Sequence, residues 1–175
     1  IPFCLLLGIV AGLIGVVFNK GVLSGTSLNK KVFGKNYGVR VALAGFTCGL
    51  VIALLPDSFR DFAGVRQLLL EGRGLNFALV VFLANFALTL VAYGSGAPGG
   101  LFAPALTIGA AIGYFVGSAE TLVYPLATHA PLTLALAGMG AFFAAVARVP
   151  VTAAVIVFEI TADFNLLLPL MISSI

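Results

Sequence analysis

The chain has 175 residues, 61% of them hydrophobic and 9% charged, where ordinary soluble domains carry about 25% charge. A soluble protein of this size cannot hide so much apolar surface, which excludes a water-soluble domain and leaves an integral membrane protein. The net charge of +3 is no nucleic-acid footprint, because five of the nine basic residues, Lys20, Lys30, Lys31, Lys35 and Arg40, lie in one connection with no acid among them.

Residues 1–18 are uncharged and nearly long enough to span a bilayer. Gly8, Gly12 and Gly15 mark a small-residue face for close helix packing. The basic connection 19–40 follows, and the positive-inside rule places it in the cytoplasm. Residues 39–55 form a second span, with Gly45 and Gly49 four apart. The connection 56–75 balances Arg60, Arg66 and Arg73 against Asp57, Asp61 and Glu71, and so falls outside. Residues 75–93 form a third span containing Asn76 and Asn85, and 101–117 a fourth that ends near Gly117. Tyr124, Pro125, His129 and Pro131 make a connection. A fifth segment covers 132–147, closed by Arg148 and Pro150; a sixth covers 150–161, and a seventh opens at 166–175. The expected class is all-α, with no alternating pattern that would build a barrel. Short helices interrupted by Gly and Pro point to a transporter-like architecture whose helices end at mid-membrane. The chain begins at Ile1 without Met and stops inside an apolar segment, so it reads as a single membrane-embedded piece, 1–175, of a longer protein.

The most informative stretch is Gly94-Ser95-Gly96-Ala97-Pro98-Gly99-Gly100-Leu101-Phe102-Ala103-Pro104. In a bilayer a broken helix leaves N–H and C=O groups without water, and is tolerated where it lines a cavity. A helix that begins there aims unpaired N–H groups and the positive end of its dipole at whatever lies in front, an arrangement that suits an anion. Gly99 and Gly100 let the backbone approach an ion closely. Leu101 and Phe102 supply the first amides, Phe102 shapes the cavity wall, and Pro104 sits where its missing N–H is tolerated. The alternative is a kink that relieves packing strain. Ser95 either donates to the anion or satisfies the broken backbone.

Other candidates are fewer. Glu159 lies near the end of an apolar helix, where an ionisable group is a functional candidate; the alternative is a carboxylate at the membrane surface. Asp163 falls in a polar turn, His129 stands beside prolines with no second ligand, Arg148 anchors a helix end and Asn85 bonds between helices. Cys4 and Cys48 lack metal-ligand spacing and read as packed small hydrophobes. Gly94-x-Gly96 lacks the context of a dinucleotide loop. With no nucleophile–base set, phosphate loop or metal cluster, the reading is of no enzyme, no metal and no cofactor.

Gly-Leu-Phe-Ala-Pro at 100–104 resembles the Gly-x-Phe-x-Pro signature of the CLC family of chloride channels and chloride/proton exchangers. Ala137-Gly138-Met139-Gly140-Ala141-Phe142-Phe143-Ala144-Ala145, Arg148-Val149-Pro150-Val151-Thr152, Phe158-Glu159-Ile160-Thr161 and Phe18-Asn19-Lys20 resemble other parts of that family in the right order. The resemblance implies an inverted-repeat fold with short, tilted and broken membrane helices, of which this chain is most of the second repeat. It implies chloride bound by the backbone N–H groups of Leu101 and Phe102, protons as a possible second substrate, and a homodimer formed through 150–161 and 166–175. The family's gating glutamate in Gly-x-Glu-Gly-Pro and its central serine belong to the first repeat, so that serine's role is not transferred to Ser95. The pore tyrosine lies beyond the last helix, and neither Tyr93 nor Tyr124 matches it. The 61–74 loop lacks the Gly-rich stretch that often precedes the next family helix. Compact loops fit a bacterial inner (cell) membrane. Two alternatives stay open: an inverted-repeat transporter for another small anion, and a non-transporting membrane scaffold.

Overall fold

Proline placement explains where several helices start. Pro2, Pro104, Pro131, Pro150 and Pro169 each fall within the first three positions of a helix, where the missing N–H removes no intrahelical bond. The computed structural model describes residues 2–33, 36–54, 75–96, 100–124, 130–161 and 167–174. These residues form α1 (Pro2–Phe33), α2 (Tyr37–Leu54), α3 (Leu75–Gly94), α4 (Phe102–Val123), α5 (Ala130–Ala147), α6 (Pro150–Thr161) and α7 (Leu167–Ser174), with no strand among them. By length and composition α1 to α4 can each cross a bilayer, whereas α5 and α6 are shorter apolar helices. The all-α class with short and broken helices is what the sequence implies.

Some boundaries differ from the sequence reading. α1 does not stop at 18 but continues to Phe33, so most of the 19–40 connection is helix. No proline interrupts that stretch, and its glycines serve packing: a Cβ on Gly25 would lie 3.3 Å from Gly94 Cα. α4 runs past buried Gly117 to Val123, where the Tyr124 N–H closes onto Glu120 O at 2.8 Å. α5 starts at Ala130, which makes Pro131 part of its first turn. Arg148 ends α5 in the left-handed region, φ 60°, with its N–H donating to Ala144 O at 2.8 Å. The expected outer connection with its acids, together with Pro125, His129 and Asp163, lies outside the described residues.

α5 is the hub, packed on α1, α4, α6 and α7. Its contact with α4 is the most extensive in the chain and depends on glycine. A Cβ on Gly113 would stand 2.7 Å from Ala135 Cα, and one on Gly138 would stand 2.9 Å from Gly113 Cα. In lipid, helices associate through van der Waals contact, which small residues make close. Of the expected small-residue face on α1, a Cβ added at Gly8 would lie 3.0 Å from Ser173 O and one at Gly15 2.9 Å from Ala145 Cβ, but one at Gly12 would meet nothing within 4 Å. Gly45 and Gly49 on α2 also meet nothing. Phe18 is fully buried, edge-on to Phe86 at 5.4 Å and to Phe142 at 5.8 Å. Asn85 does not bond between helices as expected: its amide donates to Val81 O at 2.9 Å on its own helix, the nearest acceptor one turn back. Cys4 and Cys48 are both free thiols. The outer faces carry Ile9, Leu13, Phe46 and Leu83 exposed, which suits contact with lipid rather than water.

Candidate functional site

The break between α3 and α4 has two ends of opposite polarity, and the chain treats them differently. At the carbonyl end, Gly96 adopts φ +83° and its N–H donates to Tyr93 O at 2.9 Å, a left-handed exit that only glycine makes without strain. Four side chains from α1 and α2 then take the last carbonyls. Asn29 Nδ2 donates to Gly94 O at 2.8 Å and Thr26 Oγ1 to Tyr93 O at 3.5 Å. Arg40 Nη2 donates to Ser95 O at 2.7 Å and Tyr37 OH to Gly96 O at 3.3 Å. The Arg40 cation also offsets the negative end of the α3 dipole. Ser95 is buried, and its hydroxyl donates to Ala92 O at 2.6 Å. That bond ties the side chain to the backbone at the end of α3.

Among the described residues, no side chain caps the amide end. Leu101 is the N-cap of α4 (φ −70°, ψ −15°), makes no side-chain cap, and is followed by a first turn without acid. The first intrahelical bond of this turn runs from the Ala105 N–H to Leu101 O at 3.0 Å. The amides of Leu101, Phe102 and Ala103 therefore precede the helical ladder, and Pro104 has none. Ala103 joins the two residues named from sequence because it sits ahead of the same bond. A Cβ built at Gly100 meets nothing within 4 Å, so the space beside this residue is open. Gly99 lies outside the described residues.

The ring of Phe102 holds the mouth in place. It is 37% exposed and packs edge-on against Phe143 of α5, with ring centroids 5.4 Å apart. Leu101 packs on the main apolar core, and α4 is buried from Ala105 to Gly113. The helix start is thus held by α5. A helix start with free amides has the chemistry to take a small anion through neutral donors.

The remaining candidates stand apart from this mouth. Glu159 is exposed near the C-terminal end of α6. Among the described residues, no three of His, Cys, Asp and Glu gather to hold a metal ion. The residues that the sequence reading missed are Thr26, Asn29, Tyr37 and Arg40. One signal was present: Arg40 is in the opening turns of α2, an unfavourable place for a cation beside its own helix dipole. It is also only 7% exposed, so it needs a partner elsewhere.

A family model described as voltage gated chloride channel matches residues 1–175. An H(+)/Cl(-) exchange transporter of Vibrio campbellii, ClcA, is 36% identical over 176 residues, covering 98% of this chain and 37% of that protein. The ClcA exchange transporter of Salmonella agona is 34% identical over 173 residues, again 37% of its length. Among solved structures, a slow cyanobacterial Cl-/H+ antiporter superposes with TM-score 0.83 at 30% identity, covering 98% of this chain and 40% of that one. A eukaryotic CLC transporter superposes with TM-score 0.80 at 26% identity, over 98% and 30%. The chain thus spans well under half the length of the relatives it matches.

Proposed function

We propose, from the premise that this chain belongs to the voltage-gated chloride channel family, that the protein carrying it moves chloride across a membrane and binds the ion at the start of α4. The observation that carries this is the uncapped helix start at Leu101, open at Gly100 and braced by Phe143 through Phe102. Backbone N–H groups of Leu101 and Phe102, with Ala103 beside them, are the donors; Gly99, Gly100 and Pro104 let the chain come close and start the helix. Neutral donors suit a transported ion because they release it more readily than a fixed cation does. The relatives' names make proton exchange the form of transport to test first.

In this reading the chain is the second-repeat part of a longer transporter in a bacterial inner membrane, with the 19–40 region cytoplasmic. It is not an enzyme and needs no cofactor; chloride, with protons, is the cargo. Two copies meet through 150–161 and 166–175. Exposed Val151, Val155 and Met171 line an apolar groove between α6 and α7, and Leu168 is exposed on α7; these support that face.

The test is chloride efflux from vesicles holding the whole protein, with external pH recorded together. Efflux that drives protons inward identifies an exchanger, and efflux without proton movement a channel. No efflux from folded protein moves the reading to another small anion. Leu101→Pro in the same assay isolates the amide. The native φ of −70° suits proline, so the backbone can stay while one donor is lost. Chloride affinity should fall by about ten-fold or more, the worth of one hydrogen bond to a charged group. Leu101→Ala, which keeps the amide, should change it little.

A further inference from the structure

The geometry points to a second anion site, for a phosphate group, in the cleft between α1, α2 and α3 where Arg40 is buried. This site is separate from the mouth of α4 and stands whether or not Leu101 and Phe102 bind the transported ion. The cleft has a volume of about 380 Å³ and is lined by Gly21, Asn29, Arg40, Ala44, Thr47 and Gly94. Arg40 is 7% exposed, and only part of its donor fork is used: Nη2 bonds Ser95 O at 2.7 Å, while Nε is buried with no hydrogen-bond partner. A guanidinium has five N–H donors and no way to shed its charge. Leaving one of its buried donors unpaired is costly, and a carbonyl with half a dipole charge does not neutralise the whole cation.

Among the described residues, the three helices that line the cleft offer no carboxylate to complete it: α1, α2 and α3 contain no Asp or Glu, and Lys30 and Lys31 stand exposed at the end of α1. A mobile anion supplies the partner that these helices lack. The planar fork of Arg matches an anion with two oxygens, which favours phosphate over a monatomic ion. The Asn29 amide lines the same cleft and carries a second N–H beyond the one on Gly94 O. Arg40 lies near the start of an apolar helix, beside the basic end of α1, a position at the membrane boundary. Leu28 and Leu43 are exposed at the cleft. The phosphate can come from a lipid headgroup or from free phosphate.

The experiment uses the whole protein carrying this chain, purified and delipidated. Retention of phosphatidylglycerol and of phosphatidylcholine is read by native mass spectrometry, and binding of inorganic phosphate by thermal shift. Two variants are compared with wild type. Arg40→Gln removes the fork. Ala44→Leu fills the cleft and leaves the Arg40–Ser95 bond intact, so it remains informative if Arg40→Gln folds poorly. Phosphatidylglycerol retention at least about ten-fold lower in Ala44→Leu, with phosphatidylcholine unchanged, establishes a lipid phosphate as the ligand. A similar loss confined to inorganic phosphate establishes free phosphate. Wild-type binding of both probes by Ala44→Leu overturns the site and leaves Arg40 as the cap of α3 alone.

Discussion

Gly100 and Arg40 mark the two extremes of what single residues disclose. Gly100 sits in a run whose meaning is carried by backbone, and backbone needs little more than Gly, Gly and Pro at the right spacing to be read. Its structural demand is slight: φ is not in the left-handed region and an added Cβ meets nothing. Gly100→Ala should therefore leave thermal stability within about 0.5 kcal/mol of wild type. If the ion approaches this backbone closely, the same change should still weaken chloride affinity; unchanged affinity would move the ion away from Gly100. Arg40 is the opposite case. Its role depends on Ser95, fifty-five positions along the chain, and no local pattern encodes such a pairing. Sequence reasoning placed it in a generic basic connection. The same distance in sequence hid Asn29 and Tyr37, whose bonds go to Gly94 and Gly96.

At the level of elements, the helix starts were legible to within about two residues, helped at Pro104 and Pro150 by the few helical positions that proline tolerates. α6 matches its expected bounds, Pro150–Thr161, and α3 differs by a single residue at its end. The length of α1 was not legible. Its second half is polar enough to read as a loop, and it is helical because Gly21 and Gly25 let it lie against α3. Glycine spacing alone also misleads. Gly45 and Gly49 have the spacing of a packing motif but touch nothing, whereas Gly109, Gly113 and Gly138 let α4 and α5 meet backbone to backbone. Thermal unfolding of the purified protein separates the two sets. Gly113→Ala forces backbone atoms apart and should destabilise by about 1–3 kcal/mol or more. Gly45→Ala should be neutral or stabilising by up to about 1 kcal/mol, the helix-propensity gain over glycine.

For the whole molecule, the composition already excluded a water-soluble domain, and the family match covers every residue. What composition cannot give is the partner of each outer face, since apolar residues face both lipid and protein in a membrane. Val151 at 77% exposure and Phe46 at 70% look alike by that measure. Cysteine cross-linking distinguishes them. Leu168→Cys on α7 should join two copies of the whole protein, and Leu23→Cys, also exposed but on α1, should not. Cross-linking at both or at neither would remove 166–175 from the dimer face.

α1 also has a consequence for how the protein senses its surroundings. Its 32 residues extend about 48 Å at 1.5 Å per residue, well beyond a hydrocarbon core of about 30 Å. Its apolar part ends at Phe18, so the polar remainder, with Lys20, Lys30 and Lys31, runs on past the hydrocarbon core, and a change in the lean of the helix moves that far end most. The far end of this lever carries Thr26 and Asn29, which hold the last carbonyls of α3. A tilt of α1 that followed membrane thickness would therefore reach the turn that precedes α4. Chloride flux in vesicles should vary with lipid acyl-chain length, and Asn29→Ala, by loosening the link, should flatten that dependence.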